Sequence, residues 1–126
     1  MRDVIYDAGV LVAAERSNRD VWAEHRVRLE DGILPVVPTP VVAQVSRSPK
    51  QAQLRRFLRG CEVVSFHEAD AHQVGELLRK SRTSDVVDAT VVALAVERRA
   101  DIQTSDPTDI RRLAAAAPHP IRVVEI

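Results

Sequence analysis

The chain has 126 residues, of which 45% are apolar and 29% charged, enough for one hydrophobic core and ordinary for a globular domain. No apolar run approaches the roughly 20 residues of a membrane-spanning helix, and the start, MRDVIYDAGV, carries Asp3 and Asp7 where a secretory leader would be basic and then apolar. A cytoplasmic location is therefore expected, and the lone Cys61 excludes an intramolecular disulfide or a cysteine metal site.

A net charge of zero hides an uneven distribution. Between Gly32 and Cys61 there is no acid, but there are Arg47, Lys50, Arg55, Arg56 and Arg59, while the flanking parts are net acidic. Such a stretch is either a solvated helix face or a patch that attracts a phosphate backbone.

In chain order, Asp3 to Tyr6 reads as a short strand and AGVLVAAERS as a helix. VWAEHRVRLEDG is amphipathic, with Trp22 and Leu29 as expected core contacts and Gly32 as the stop. Ile33 to Val37 is a second strand. Thr39 and Pro40 then fit the cap and first position of a helix, TPVVAQVSRS. QAQLRRFLRG is helical up to Gly60, and Glu62 to Phe66 a third strand; Phe57 and Phe66 read as core. The next helix, HEADAHQVGELLRKS, places Ala71, Val74, Leu77 and Leu78 on one face. SDVVDATVVALA follows, apolar nearly all round, with Ser84 as its expected cap. Asp101 to Ser105 is a fourth strand, DPTDIRRLAAAA a helix with Asp106 at the cap and Pro107 in the first turn, and IRVVEI a last strand. Strands alternating with helices predict a single α/β domain over residues 1–126, with a short, mostly parallel sheet between two helical layers.

In such sheets ligands bind beyond the carboxyl ends of the strands. Asp7 follows the first strand and Asp106 the fourth. Either acid could be simple helix-start chemistry. Asp88 is harder to place that way. It lies between Val87 and Val91 on a helix packed on most sides, and an unpaired buried carboxylate is costly. Asp85 is ordinary charge placement at a helix start, or an outer acid beside Asp88. No lysine or arginine is an obvious partner for Asp88. A hard cation such as Mg²⁺ or Mn²⁺ shared among Asp7, Asp88 and Asp106 would supply one, with Asp109 one turn on as a further oxygen. Such a cluster beside a basic stretch suggests phosphodiester hydrolysis.

The segments YDAGVLVAAE, PTPVVAQVSR, SDVVDATVVALA and QTSDPTDIRRL resemble, in this order, the four motifs of PIN-domain proteins, and more narrowly of VapC-type toxins. The resemblance spans nearly the whole chain. It implies a PIN-like three-layer sandwich and a Mg²⁺- or Mn²⁺-dependent endoribonuclease. It also implies a homodimer and a VapB-like antitoxin whose C-terminal segment occupies the acidic groove. By position, Asp7, Asp88 and Asp106 match the metal-binding acids, and Asp109 an additional one. The second motif departs from the pattern: where many members carry glutamate, this chain has Gln44. An amide cannot act as a base, though its oxygen can still accept a hydrogen bond. The basic residues from Arg47 to Arg59 would contact RNA phosphates, the antitoxin or a second subunit. With four aromatic residues in the chain, base stacking is not expected to dominate.

Three rival readings compete with this one. A phosphoacceptor domain needs an aspartate at the end of the third strand, where His67 stands instead. A dehalogenase-like phosphatase needs a second aspartate two residues after Asp7, and that position is Gly9. The third is a PIN-like module that binds RNA or an antitoxin without cutting, which Gln44 keeps open. The four histidines show no ligand spacing and read as surface or satisfied structural residues.

Overall fold

The computed structural model describes residues 2–126. Its elements run β1 (Val4–Tyr6), α1 (Ala8–Glu15), α2 (Arg19–Glu30), β2 (Pro35–Pro38), α3 (Thr39–Val45), α4 (Ala52–Arg59), β3 (Glu62–Val64), α5 (Glu68–Ser81), α6 (Val86–Arg98), β4 (Asp101–Thr104), α7 (Pro107–Ala114) and β5 (Val123–Glu125). All five strands pair in parallel, in the order β3-β2-β1-β4-β5. The central strands are apolar on both faces, and Val4, Ile5, Tyr6, Val36 and Val37 are buried, as a sheet covered on both sides requires. Helices α1, α2 and α4 lie on one face, with α5, α6 and α7 packed together on the other. The three-layer α/β sandwich expected from the alternation of elements is the one found.

The strand order has a functional consequence. The chain steps outward from β1 to β2 and β3, then crosses back to β4 on the other side of β1. The connections after β1 and β4 therefore leave in opposite directions. The point between those two strand ends is the usual ligand position in open parallel sheets.

Several local elements differ from the expectation. The second strand starts at Pro35 rather than Ile33, and the third ends at Val64 rather than Phe66. Thr39 is not a cap: Pro38 holds the cap position, and the Thr39 hydroxyl accepts the Phe66 N–H at 3.2 Å, tying α3 to the chain leaving β3. Leu29 is 43% exposed, because α2 buries a stripe through Val21 and His25, with Arg28 partly covered, and Leu29 lies off it. Ala71 is likewise exposed, while Val74 and Leu77 are buried. Gly32 behaves as read, with φ +75 just past the end of α2. At α4 the capping is remote: Gln51 makes no side-chain cap bond, and Glu15 on α1 accepts the Leu54 N–H instead.

Helix α2 is fastened to the sheet by polar groups. Arg28 donates to the Tyr6 hydroxyl at 3.3 Å and to the Gln103 Oε1 at 2.9 Å. The Gln103 amide donates to Glu24 at 2.7 Å. With Arg28 donating to it, the Tyr6 hydroxyl is free to give its own proton to His25 Nδ1, 2.9 Å away. His25 stacks on Phe57 with ring centroids 4.0 Å apart, and Trp22 meets Phe57 edge-on. His25 is thus a satisfied structural residue.

Burial, and secondarily the Arg28 charge, lower the His25 pKa from 6.5 to about 4. The unfolded chain therefore binds a proton on His25 that the folded chain does not between these values. The contribution is fully present above pH 6.5 and is lost as pH falls towards 4. We expect the His25 imidazole resonances to titrate near pH 4, and His25→Gln to flatten the stability loss between pH 6.5 and 4 in urea titrations. An ordinary midpoint near 6.5 would contradict the buried, neutral assignment.

Candidate active site

Asp7 stands where β1 becomes α1. It is 5% exposed, and its carboxylate has two donors. Oδ1 accepts the Ala8 N–H at 2.8 Å, and Oδ2 accepts the Thr104 hydroxyl at 2.7 Å. The Thr104 oxygen in turn accepts the Asp106 N–H at 3.0 Å. The backbone of Asp106 is thereby linked through Thr104 to the carboxylate of Asp7, across the paired ends of β1 and β4. Thr104 is fully buried and was not singled out from the sequence.

Asp106 occupies the N-cap position of α7, but its side chain makes no cap bond. Its exposed carboxylate is therefore free for another use, as is that of Asp109. The opposite holds for Asp85. Ser84 was expected to cap α6, but Asp85 does so: its extended backbone, at φ −80 and ψ 105, lets Oδ1 accept the Asp88 N–H at 2.9 Å.

Asp88 is the third residue of α6, whose Ala89, Val91, Val92, Leu94 and Ala95 are all buried. Among the described residues no group donates to its carboxylate. Burial raises its pKa from 3.8 to about 7, and the charges of Asp7, Asp85, Asp109 and Asp106 push in the same direction. All five acids named from the sequence therefore share one electrostatic neighbourhood. Among the described residues, though, no three acid, histidine or cysteine side chains are close enough as they stand to form a ligand set. Charge and donor chemistry converge here, whereas ligand geometry would require the side chains to draw together.

Around Asp85, Asp88 and Asp109 lies an open cleft of about 310 Å³, also lined by Arg82 and Arg112. Gln44 is exposed on α3, a helix that packs against α1 and α6. The basic stretch is partly folded back. Arg47 donates to the Ala43 and Ser46 carbonyls, and the Arg56 guanidinium lies 4.4 Å over the Trp22 ring. Lys50, Arg55 and Arg59 are exposed. None of these five residues lines the cleft with Asp88. Burial pushes the Cys61 thiol up to about 12.

The PIN domain family profile matches residues 4–116. The chain belongs to the PIN-domain family. Solved structures share this PIN fold at low identity. VapBC2 from Rickettsia felis, bound to a DNA fragment from its promoter, has a TM-score of 0.73 at 18% identity, with 98% of each chain covered. A toxin–antitoxin complex from Klebsiella pneumoniae has a TM-score of 0.66 at 15% identity, covering 85% of this chain and 89% of that one. A further match is FitAcB from Neisseria gonorrhoeae, with a TM-score of 0.62, 13% identity and 96% of each chain covered. No curated protein matches the chain.

Two predictions follow from the geometry of this PIN site. A Cβ on Gly9 would fall 1.8 Å from Ser105 Oγ and 2.6 Å from Ser105 Cβ, so α1 meets the end of β4 only through a glycine. Gly9→Ala should destabilise by about 1–3 kcal/mol, the usual cost of overpacking, and Ser105→Gly in the same chain should restore most of it. Urea unfolding checks both; additive losses would show that the contact is not the cause.

The second concerns Asp88. Its folded-state pKa is raised, so its contribution to stability is intact below pH 3.8 and lost as pH rises through about 7. Without divalent ions, Asp88→Asn should raise Tm at pH 8, and the gain should shrink on acidification and vanish by pH 3.8. A variant less stable than the parent at pH 8 would contradict a repulsive site.

Proposed function

We propose that this PIN domain is a divalent-metal-dependent endoribonuclease of the VapC type, the toxin of a toxin–antitoxin pair. The observation that carries the reading is Asp88, an unpartnered carboxylate whose pKa is raised to about 7 by burial and, after that, by the charges of four other acids. The family match and the toxin–antitoxin complexes with the same fold support it. Asp7, Asp88 and Asp106 would hold Mg²⁺ or Mn²⁺, with Asp109 as an additional acid and Asp85 as the cap that orients the first turn of α6. These all-oxygen donors fit a hard cation. Bound there, the cation supplies Lewis acidity towards a phosphodiester and an attacking water.

The protein's own residues do the rest. Thr104 and the Ala8 N–H hold the Asp7 carboxylate in one orientation. Helix α6, packed on nearly every side, fixes the position from which Asp88 extends. Gln44 offers a neutral amide that can orient water but cannot take its proton. Arg47, Lys50, Arg55, Arg56 and Arg59 would give the RNA backbone or a partner an outer cationic track. A VapB-like antitoxin and a second copy of the chain are the expected partners, and the cytoplasm the expected location.

Gln44 and the open arrangement of the acids favour a second reading, in which the domain binds RNA or an antitoxin without cutting. Antitoxin-free protein incubated with total cellular RNA and Mn²⁺ or Mg²⁺ decides between them. We expect discrete cleavage products. Asp88→Asn should lower the rate by more than about 100-fold, above the usual cost of losing a residue that only supports a ligand. Retention of intact RNA with both metals would refute the nuclease.

Metal binding has its own readout. At about 100 times Kd a ligand stabilises by ~2.7 kcal/mol, so millimolar Mn²⁺ should raise Tm by several degrees. The rise should disappear in Asp7→Asn. A Tm indifferent to both metals would argue against a shared site.

A further inference from the structure

The cleft at Asp88 is not lined by acids alone. Arg82 and Arg112 border it with Asp85, Asp88 and Asp109. Both arginines are exposed. Neither forms an ion pair or a side-chain hydrogen bond among the described residues, although Arg112 lies one turn beyond Asp109 on α7.

Arg82 carries a second oddity. It ends α5 in the left-handed conformation, at φ 57 and ψ 41, with its N–H on the Leu78 carbonyl. Glycine adopts that conformation freely, while an L side chain does so at a steric cost. The chain thus keeps an arginine at the cleft where its backbone favours glycine.

RNA is a polyanion, and five carboxylates repel it. One or two bound cations offset only part of that charge. Fixed cations within the cleft offset more, and a guanidinium matches a phosphate in a bidentate fork. The 47–59 stretch does not meet this need, since none of its residues borders the cleft. We propose that Arg82 and Arg112 form the phosphate grip of this site, holding the backbone of single-stranded RNA across the carboxylates. The proposal rests on the nuclease reading and names the residues that seat its substrate.

A matched control lies in the same fold. Arg99 ends α6 in the same left-handed conformation, at φ 51. It stands at the far end of a 13-residue helix from Asp85, a distance of roughly 20 Å at 1.5 Å per residue. Replacing either arginine by glycine relieves the same backbone, but only one of the two borders the cleft.

The test measures binding of a fluorescently labelled single-stranded RNA oligonucleotide by anisotropy, in Mg²⁺ and over a series of KCl concentrations. An Asp88→Asn background prevents turnover. Arg82→Gly combined with Arg112→Gln should weaken binding about tenfold or more. The slope of log K against log salt should fall by about 1.4, two contacts at ~0.7 each for single strands. Arg82→Gly alone should leave Tm at or above the parent value, so lost binding is not lost folding. Arg99→Gly should leave binding unchanged. With Asp88 restored, KM for RNA cleavage should rise and kcat hold.

Unchanged affinity and salt slope in the double variant would overturn the proposal. So would an equal loss in Arg99→Gly, or no RNA binding by the parent. A lower Tm for Arg82→Gly at pH 8 would overturn it too, by showing that the arginine only neutralises the acids. The nuclease reading stands or falls separately, on cleavage by the unmodified protein.

Discussion

A buried carboxylate survives only with donors, and Asp7 has two, one from the helix it starts and one from a strand 97 residues away. Most of the site follows from that second bond. For Thr104 to reach Asp7, β4 must lie beside β1, and Tyr6 pairs with Gln103 one residue earlier. For β4 to lie there, the chain must return across the sheet after β3, carrying α5 and α6 to the opposite face. That return makes β1 and β4 the point where the strand order reverses, and it brings Asp88, in the first turn of α6, within electrostatic reach of Asp7 and Asp106. Gly9 permits the close approach, since any side chain there would strike Ser105.

A second set of polar contacts guards the other face. Tyr6, His25, Arg28, Gln103 and Glu24 form a connected chain between α2 and the strands β1 and β4. Breaking such a network leaves desolvated groups without partners, which costs more than the bonds themselves contribute. Its value here is positional. Gln103 and Tyr6 immediately precede Thr104 and Asp7 in their strands, so α2 fixes the register of the two residues that carry the Asp7 hydrogen bond.

The architecture was legible because each strand and helix carries its own period, and because parallel α/β sheets place ligands at strand ends. That rule points to Asp7 and Asp106 as candidates, and the cost of leaving a carboxylate unpaired in an apolar helix points to Asp88. Other features were hidden for a common reason: they depend on pairings distant in sequence. Thr104 looks like any strand threonine until β4 is set beside β1. Leu29 fits an amphipathic period, but the last turns of α2 cover His25 and part of Arg28, so the covered positions beside Leu29 are polar where hydropathy expects leucine. Ser84 and Asp85 are both good caps, and the backbone angles at Asp85 decide between them. The basic stretch was visible as composition, whereas the turning of Arg47 onto carbonyls and of Arg56 onto Trp22 was not. Nothing in the sequence marks Arg82 or Arg112, since one ends a helix and the other follows a common acidic start, both ordinary positions.

Why the acids stay in tension follows from α6. Its flank is closed by Ala89, Val91, Val92, Leu94 and Ala95, all buried, and a core so packed does not shift to relieve charge. Repulsion at Asp88 therefore cannot relax through the backbone. It must be met by a charge from outside the helix. A proton can do this, and a pKa of about 7 means that it does so for much of the population near neutrality. A divalent cation can do it more fully, because it satisfies several carboxylates at once and must displace that proton to bind. The guanidinium groups of Arg82 and Arg112 stand too far off to pair with the acids, yet line the same cleft. They can offset the charge an incoming phosphate meets without occupying the oxygens a metal would need. Had either arginine closed onto Asp88, the fold would gain an ion pair and lose an unpaired carboxylate. The separation of the two sets of charges is what leaves the Asp88 carboxylate without an ion-pair partner.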